Sequence, residues 1–182
     1  MKAFVFLATG FEEIEAVSTV DILLRGGLEV TTVSVTGHAV VTGAHGVPVV
    51  AGTLFEQVDD WSSGSILVLP GGLPGSDNLN AHQALKDLLL AYHEQGKWIA
   101  AICAAPRVPG SLGLLKGRKA CCYPGTEPLL TGAVIQHAPV VQDGNIITGQ
   151  GPGFVFDFAL KLVEVLQGPA KARAVAEGML LK

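Results

Sequence analysis

Short continuous apolar runs alternate along the chain with stretches in which apolar residues recur every three or four positions. That is the pattern of a parallel sheet covered by helices on both faces. The runs are Ala3 to Ala8, Glu29 to Val35, Ser65 to Leu69, Trp98 to Ile102 and Ile146 to Thr148. Between the first two, Ile14, Val17, Val20, Leu23 and Leu24 recur at helical spacing and Gly26-Gly27 supply a stop, which predicts a first strand-helix-strand unit. Ala81 to Gln95, with Leu85, Leu88, Leu89 and Tyr92, reads as a second amphipathic helix, and Ala104 to Leu115 and Phe154 to Leu166 as two more. Val40 to Val49, broken by Gly43, Gly46 and Pro48, reads as a short antiparallel excursion. No linker block, charge run or internal repeat divides the sequence. The expectation is one α/β domain over residues 1–182, flavodoxin-like and doubly wound, with a mostly parallel sheet.

Composition narrows the function classes. With 182 residues, 49% of them apolar, the chain can bury a core without disulfide help. A net charge of -4, only 12 basic residues and no basic run leave no footprint for a phosphate backbone, so nucleic acid is not an expected partner. The apolar runs fall far short of the roughly 20 residues of a membrane span. The amino terminus lacks the basic, apolar and small-residue order of a signal peptide, so a cytoplasmic location without membrane contact is expected. Three cysteines, two of them adjacent, cannot build a disulfide framework and show no paired CxxC spacing. Free thiols and no metal site are expected.

In an open parallel sheet the ligand crevice lies at the carboxyl ends of the strands. Four run ends carry suggestive residues: Thr9 to Glu15, Pro70 to Gly75, Cys103 to Pro106 and Gly149 to Gly153. Cys103 stands between an apolar run and small residues with Pro106 close behind, the setting of a nucleophile elbow at the start of a helix. A helix amino terminus favours a thiolate and is expected to lower the cysteine pKa. Gly71 and Gly72 can bring backbone N–H groups close to a developing oxyanion. Of the three early glutamates, Glu12 and Glu13 suit solvent and the helix dipole, whereas Glu15 shares a face with Ser18, Thr19 and Ile22. A carboxyl aimed at a thiolate resists ionisation, so its pKa is expected to rise and it can act as a general acid or base. None of the five histidines adjoins the elbow; His45 and His137 lie in loops that could reach it. Cys121 and Cys122 lie in a strand-like run, with one side chain expected toward the crevice and the other toward the core.

At these residues the chain resembles the ThiJ/PfpI superfamily, and most closely the subgroup of the Parkinson-disease protein deglycase and its bacterial relatives. The resemblance rests on Gly10 to Val17, Val20-Asp21 with Arg25, Leu69 to Gly72, Ala100 to Pro106, and Gly151 to Gly153 followed by Phe156 to Leu160. It implies a class I glutamine amidotransferase-like domain with Cys103 as oxidisable nucleophile and Glu15 as its protonated partner. Gly72 and Ala104 are implied as N–H donors, and Arg25 as a dimer-interface residue, although Arg25 can equally pair with Asp21 one turn away. Where the best-known member has a histidine before a proline, this sequence has Tyr123-Pro124, and His45 stands where relatives often carry arginine. Ala104 fills the place of the histidine found in peptidase-like members. No histidine is followed by glutamate two positions on, which argues against a glutamine amidotransferase.

The implied function is a cofactor-independent deglycase or glyoxalase, a homodimer acting on small aldehydes or early glycation adducts. The competing expectation is a redox sensor or redox-regulated chaperone that uses the same thiol.

Overall fold

The computed structural model describes residues 1–181. In chain order the elements are β1 (Lys2–Leu7), α1 (Glu13–Arg25), β2 (Glu29–Ser34), β3 (Val40–Thr42), β4 (Pro48–Val50), β5 (Thr53–Leu54) and β6 (Ile66–Leu69). There follow α2 (Gly75–Ala81), α3 (Gln83–Glu94), β7 (Trp98–Ile102), α4 (Arg107–Ser111), β8 (Lys119–Ala120), β9 (Val134–Ile135), β10 (Val140–Asp143), β11 (Ile146–Gly149), α5 (Val155–Gln167) and α6 (Pro169–Gly178). Seven strands form one sheet in the order β10-β11-β7-β6-β1-β2-β5, parallel throughout except for β10 against β11.

All five apolar runs become strands of this sheet. Their side chains alternate between faces: Phe4, Phe6, Leu67 and Leu69 pack toward α2, α3 and α4, while Ala3, Val5, Ile66 and Val68 pack toward α1, α5 and α6. This is the doubly wound, flavodoxin-like arrangement expected. The strand order reverses direction between β1 and β6, so the loops after these two strands part there and open a crevice.

Three local readings need correction. On α1 the buried residues are Glu15, Ala16, Thr19, Ile22 and Leu23, while Ile14, Val17 and Leu24 are 54%, 51% and 52% exposed. The helix therefore carries two apolar stripes, and the one at Ile14, Val17 and Leu24 faces outward. The expected helix over Ala104 to Leu115 contracts to the five residues of α4, because Pro109 has no N–H to donate and Gly113, with φ +74°, turns the chain left-handed. The strand at Lys119 ends before Cys121, whose N–H donates to the Thr148 hydroxyl at 2.9 Å instead of a ladder carbonyl. Both Cys121 and Cys122 are buried, Cys122 in the core below α4, and all three thiols are free. The antiparallel excursion is present as β3 paired with β4.

Among the described residues no helix is long and apolar enough to cross a membrane.

Candidate active site

The site forms where the loops after β1, β6 and β7 meet at the crevice. Glu15 arrives there because it extends the core stripe of α1 by one turn, i to i+4 and i+7 with Thr19 and Ile22, and so is carried completely under the surface. Its Oε2 accepts the Gly71 N–H at 2.7 Å. Oε1 is buried without a hydrogen-bond partner, so the contact with the neighbouring Cys103 thiol is looser than a formed hydrogen bond, and a proton on this oxygen is the natural way to satisfy it. Burial pushes the Glu15 carboxyl up to about 7, against the opposing pull of the Gly71 N–H and the Cys103 thiol.

Cys103 follows β7 directly and has φ +64°. A side chain in this left-handed region is strained, and such strain persists where the surroundings over-determine the turn. Here the Cys103 N–H donates to the Gly149 carbonyl at 2.9 Å and the Cys103 carbonyl accepts the Tyr123 N–H at 2.8 Å. The elbow is thus clamped on both sides, with Cys103 only 8% exposed.

The backbone N–H groups of Gly72 and Ala104 lie close enough to the thiol to work toward a lower pKa. Gly71 does something else. Its N–H is consumed by Glu15, and a β-carbon placed on it would lie 2.6 Å from the Cys103 β-carbon and 2.7 Å from Glu15 Oε2. Glycine at 71 is required by the room the two reactive side chains occupy, and its expected oxyanion role does not hold. The expected lowering of the thiol pKa is not met either. Burial first, then the charge and close approach of the Glu15 carboxyl, push the Cys103 thiol up to about 12, with the Gly72 and Ala104 N–H groups opposing. The expected helix-dipole help is small because α4 is short and begins only at Arg107. Carboxyl and thiol therefore share a single proton at pH values above about 7.

A model of the DJ-1/PfpI family matches residues 1–165. The chain belongs to that family. It is 38% identical to the protein dj-1beta of Drosophila melanogaster over 182 residues, covering 99% of this chain and 97% of the relative. It is 34% identical to the glutathione-independent glyoxalase DJR-1.2 of Caenorhabditis elegans, covering 93% and 90% of the two chains. Its fold is similar to that of a DJ-1 superfamily protein from Salmonella typhimurium, with TM-score 0.94 and 40% identity over 100% of this chain and 98% of the other.

Around this DJ-1/PfpI site the remaining expected residues take definite places. Tyr123 is half-exposed and touches the elbow through its backbone. Arg25 pairs with Asp21 at 2.7 Å on the exposed face of α1. His45, on the β3–β4 turn, is exposed, and its Nδ1 lies 2.9 Å from Glu13 Oε2 and 3.6 Å from Glu12 Oε1. These carboxylates hold the imidazole pKa above its usual value, the hydrogen bond to Glu13 first.

Glu13 is not merely solvated, as its position at the helix start suggests. Burial works to raise it, but hydrogen bonds from the His45 side chain and from the N–H groups of His45 and Val47 outweigh this and lower it. Glu12, Glu13 and His45 are the one group among the described residues whose ligand atoms gather closely enough for a metal ion. Both Glu13 oxygens already serve to strap the β3–β4 turn to the start of α1. His82 accepts the Leu85 N–H at 3.1 Å, and its ring lies tilted against that of Phe55.

Proposed function

We propose that the protein is a cysteine-dependent glyoxalase or deglycase that acts on 2-oxoaldehydes and their early adducts as a protective activity. The observation that carries this reading is the Glu15 carboxyl, fully buried beside Cys103 and raised to about 7, where it can take and return a proton near neutral pH. With methylglyoxal, the Cys103 sulfur bonds to the aldehyde carbon as the C=O π bond opens, and Glu15 takes the thiol proton and passes it to the former carbonyl oxygen, which becomes the hemithioacetal hydroxyl and leaves Glu15 ionised. Glu15 then carries a proton from C1 to C2 by way of an enediol, leaving a thioester of lactate. Water breaks the C–S bond, and lactate leaves as the thiol regains its proton. Hydrogen moves only within the substrate, so aldehyde oxidation and ketone reduction balance without an external redox partner. In this reading the Gly72 and Ala104 N–H groups, which already favour negative charge at the sulfur, steady the oxyanion in the first and last steps.

The test compares lactate formation from methylglyoxal by reduced protein and by protein titrated with peroxide. The expected result is turnover by the reduced form that falls in proportion to sulfinate formation at Cys103. No lactate from the reduced form overturns the enzyme and favours the second reading, a redox sensor. That reading draws on the same two N–H donors, which can receive the oxygens of an oxidised sulfur.

We also propose a homodimer. Ile14, Val17 and Leu24 form an exposed apolar stripe, bordered by the Asp21–Arg25 pair on the same helix face. Val17→Asp is expected to halve the mass measured by sedimentation equilibrium. A monomeric mass for the unaltered protein refutes the assignment.

A further inference from the structure

A cavity of about 410 Å³ lies beside the elbow, lined by Tyr123, Pro124, Gln150, Gly151, Pro152 and Phe154 together with Gly153. No lining residue carries a charge, and two proline rings and two aromatic rings supply most of the wall. Both walls are tied to the nucleophile's own peptide groups. The Tyr123 N–H donates to the Cys103 carbonyl at 2.8 Å, and the Cys103 N–H donates to the carbonyl of Gly149, one residue before the Gln150 to Phe154 wall. A β-carbon on Gly151 would stand 3.3 Å from the Tyr123 ring, so glycine there lets the ring lie against the opposite wall. The cavity is therefore held in register with the sulfur by the bonds that shape the elbow.

From this we infer that the cavity is a specificity pocket for the substituent of the 2-oxoaldehyde, and that the preferred substrates carry a bulky apolar or aromatic group in place of a methyl. This rests on the glyoxalase reading above and adds to it the class of substrate. The methyl of methylglyoxal fills only a small part of such a space. A phenyl ring fills it far better, with its faces against proline and aromatic side chains and no charged group to desolvate. Even one methylene in a well-fitted apolar pocket is worth about tenfold in specificity.

The experiment measures kcat/KM for phenylglyoxal and for methylglyoxal with reduced protein, Phe154→Ala and Tyr123→Ala. The expected phenyl-to-methyl ratio in the unaltered protein is at least about tenfold, falling by a similar factor in both variants. Comparing the ratio between the unaltered protein and the variants removes the intrinsic difference in aldehyde reactivity, because that difference is common to all three proteins.

Turnover of methylglyoxal with no preference for phenylglyoxal, or a ratio that neither variant changes, overturns the pocket and leaves the glyoxalase reading standing. Consumption of neither aldehyde overturns both. A ratio unchanged by Phe154→Ala, accompanied by loss of the dimer in sedimentation, assigns the cavity to a protein contact and also overturns the proposal.

Discussion

Cys103→Ala and Glu15→Gln each lower lactate formation from methylglyoxal by at least about 10²-fold, and the double variant loses no more than the more damaged single one. The reason is that the two side chains share one proton. Without the sulfur there is no covalent intermediate for Glu15 to serve. With glutamine at 15 the thiol loses the carboxylate that takes its proton, and the neighbouring Gly72 and Ala104 N–H groups cannot accept one. A pair acting as a unit gives strongly non-additive losses, whereas independent contributions multiply. A double variant with the product of the two single losses refutes the shared-proton arrangement.

Stability supplies a second readout for Glu15 that does not depend on turnover. Its folded pKa is raised from 4.5 to about 7. Between these values the folded protein keeps a proton that the unfolded chain has released, so stability is full below the unfolded pKa and is lost as pH rises through about 7. That difference corresponds to a loss on the order of 3 kcal/mol over that window. Urea unfolding at several pH values is expected to show this decline in the unaltered protein and its absence in Glu15→Gln. A decline of equal size in both places the titration elsewhere.

Much of this site is readable before any fold is known, and for a physical reason. Buried parallel strands are uninterrupted apolar runs, so their carboxyl ends, and the residues after them, are marked in the sequence itself. Cys103 and Glu15 are legible in that way, Glu15 because a carboxyl on the Thr19 and Ile22 face has no route to water. What escapes is whatever depends on which neighbour claims a group. Gly71 looks like an oxyanion donor until Glu15 takes its N–H. The thiol pKa depends on how deeply the elbow is buried and on the Glu15 carboxyl beside it, neither of which the residues around Cys103 announce.

The outward stripe of α1 has the same residue types as a core stripe, and no periodicity separates the two. The start of α6 had a usable signal in Gly168-Pro169, with proline at the first helical position. The cavity walls at Tyr123 and Phe154 had none, since they are joined only through the backbone of Cys103.

Gly72→Ala is expected to destabilise the protein by more than about 3 kcal/mol and to remove activity from whatever remains folded. Gly72 has φ +89°, where any β-carbon is strained. A β-carbon there would also stand 2.4 Å from the Glu12 nitrogen, 2.6 Å from the Gly10 oxygen and 2.7 Å from the Phe11 carbonyl carbon. All three are backbone atoms, so no rotamer change relieves the clash. The loop after β1 must move away from the loop after β6, breaking the bond from the Glu12 N–H to the Gly71 carbonyl at 2.9 Å and that from the Gly75 N–H to the Gly10 carbonyl at 3.1 Å. The first of these loops leads into Glu15 and the second carries the Gly71 and Gly72 donors, so the displacement separates the carboxyl from both Gly71 and the sulfur. Gly178→Ala is the control, because nothing lies within 4 Å of a β-carbon there and its backbone is not left-handed; its effect is expected to stay within about 0.5 kcal/mol. Urea midpoints of the two variants, read with lactate rates at the same protein concentration, decide the matter. Equal midpoints with full activity in Gly72→Ala would show that close backbone contact between the two loops is not what holds Glu15 against Cys103.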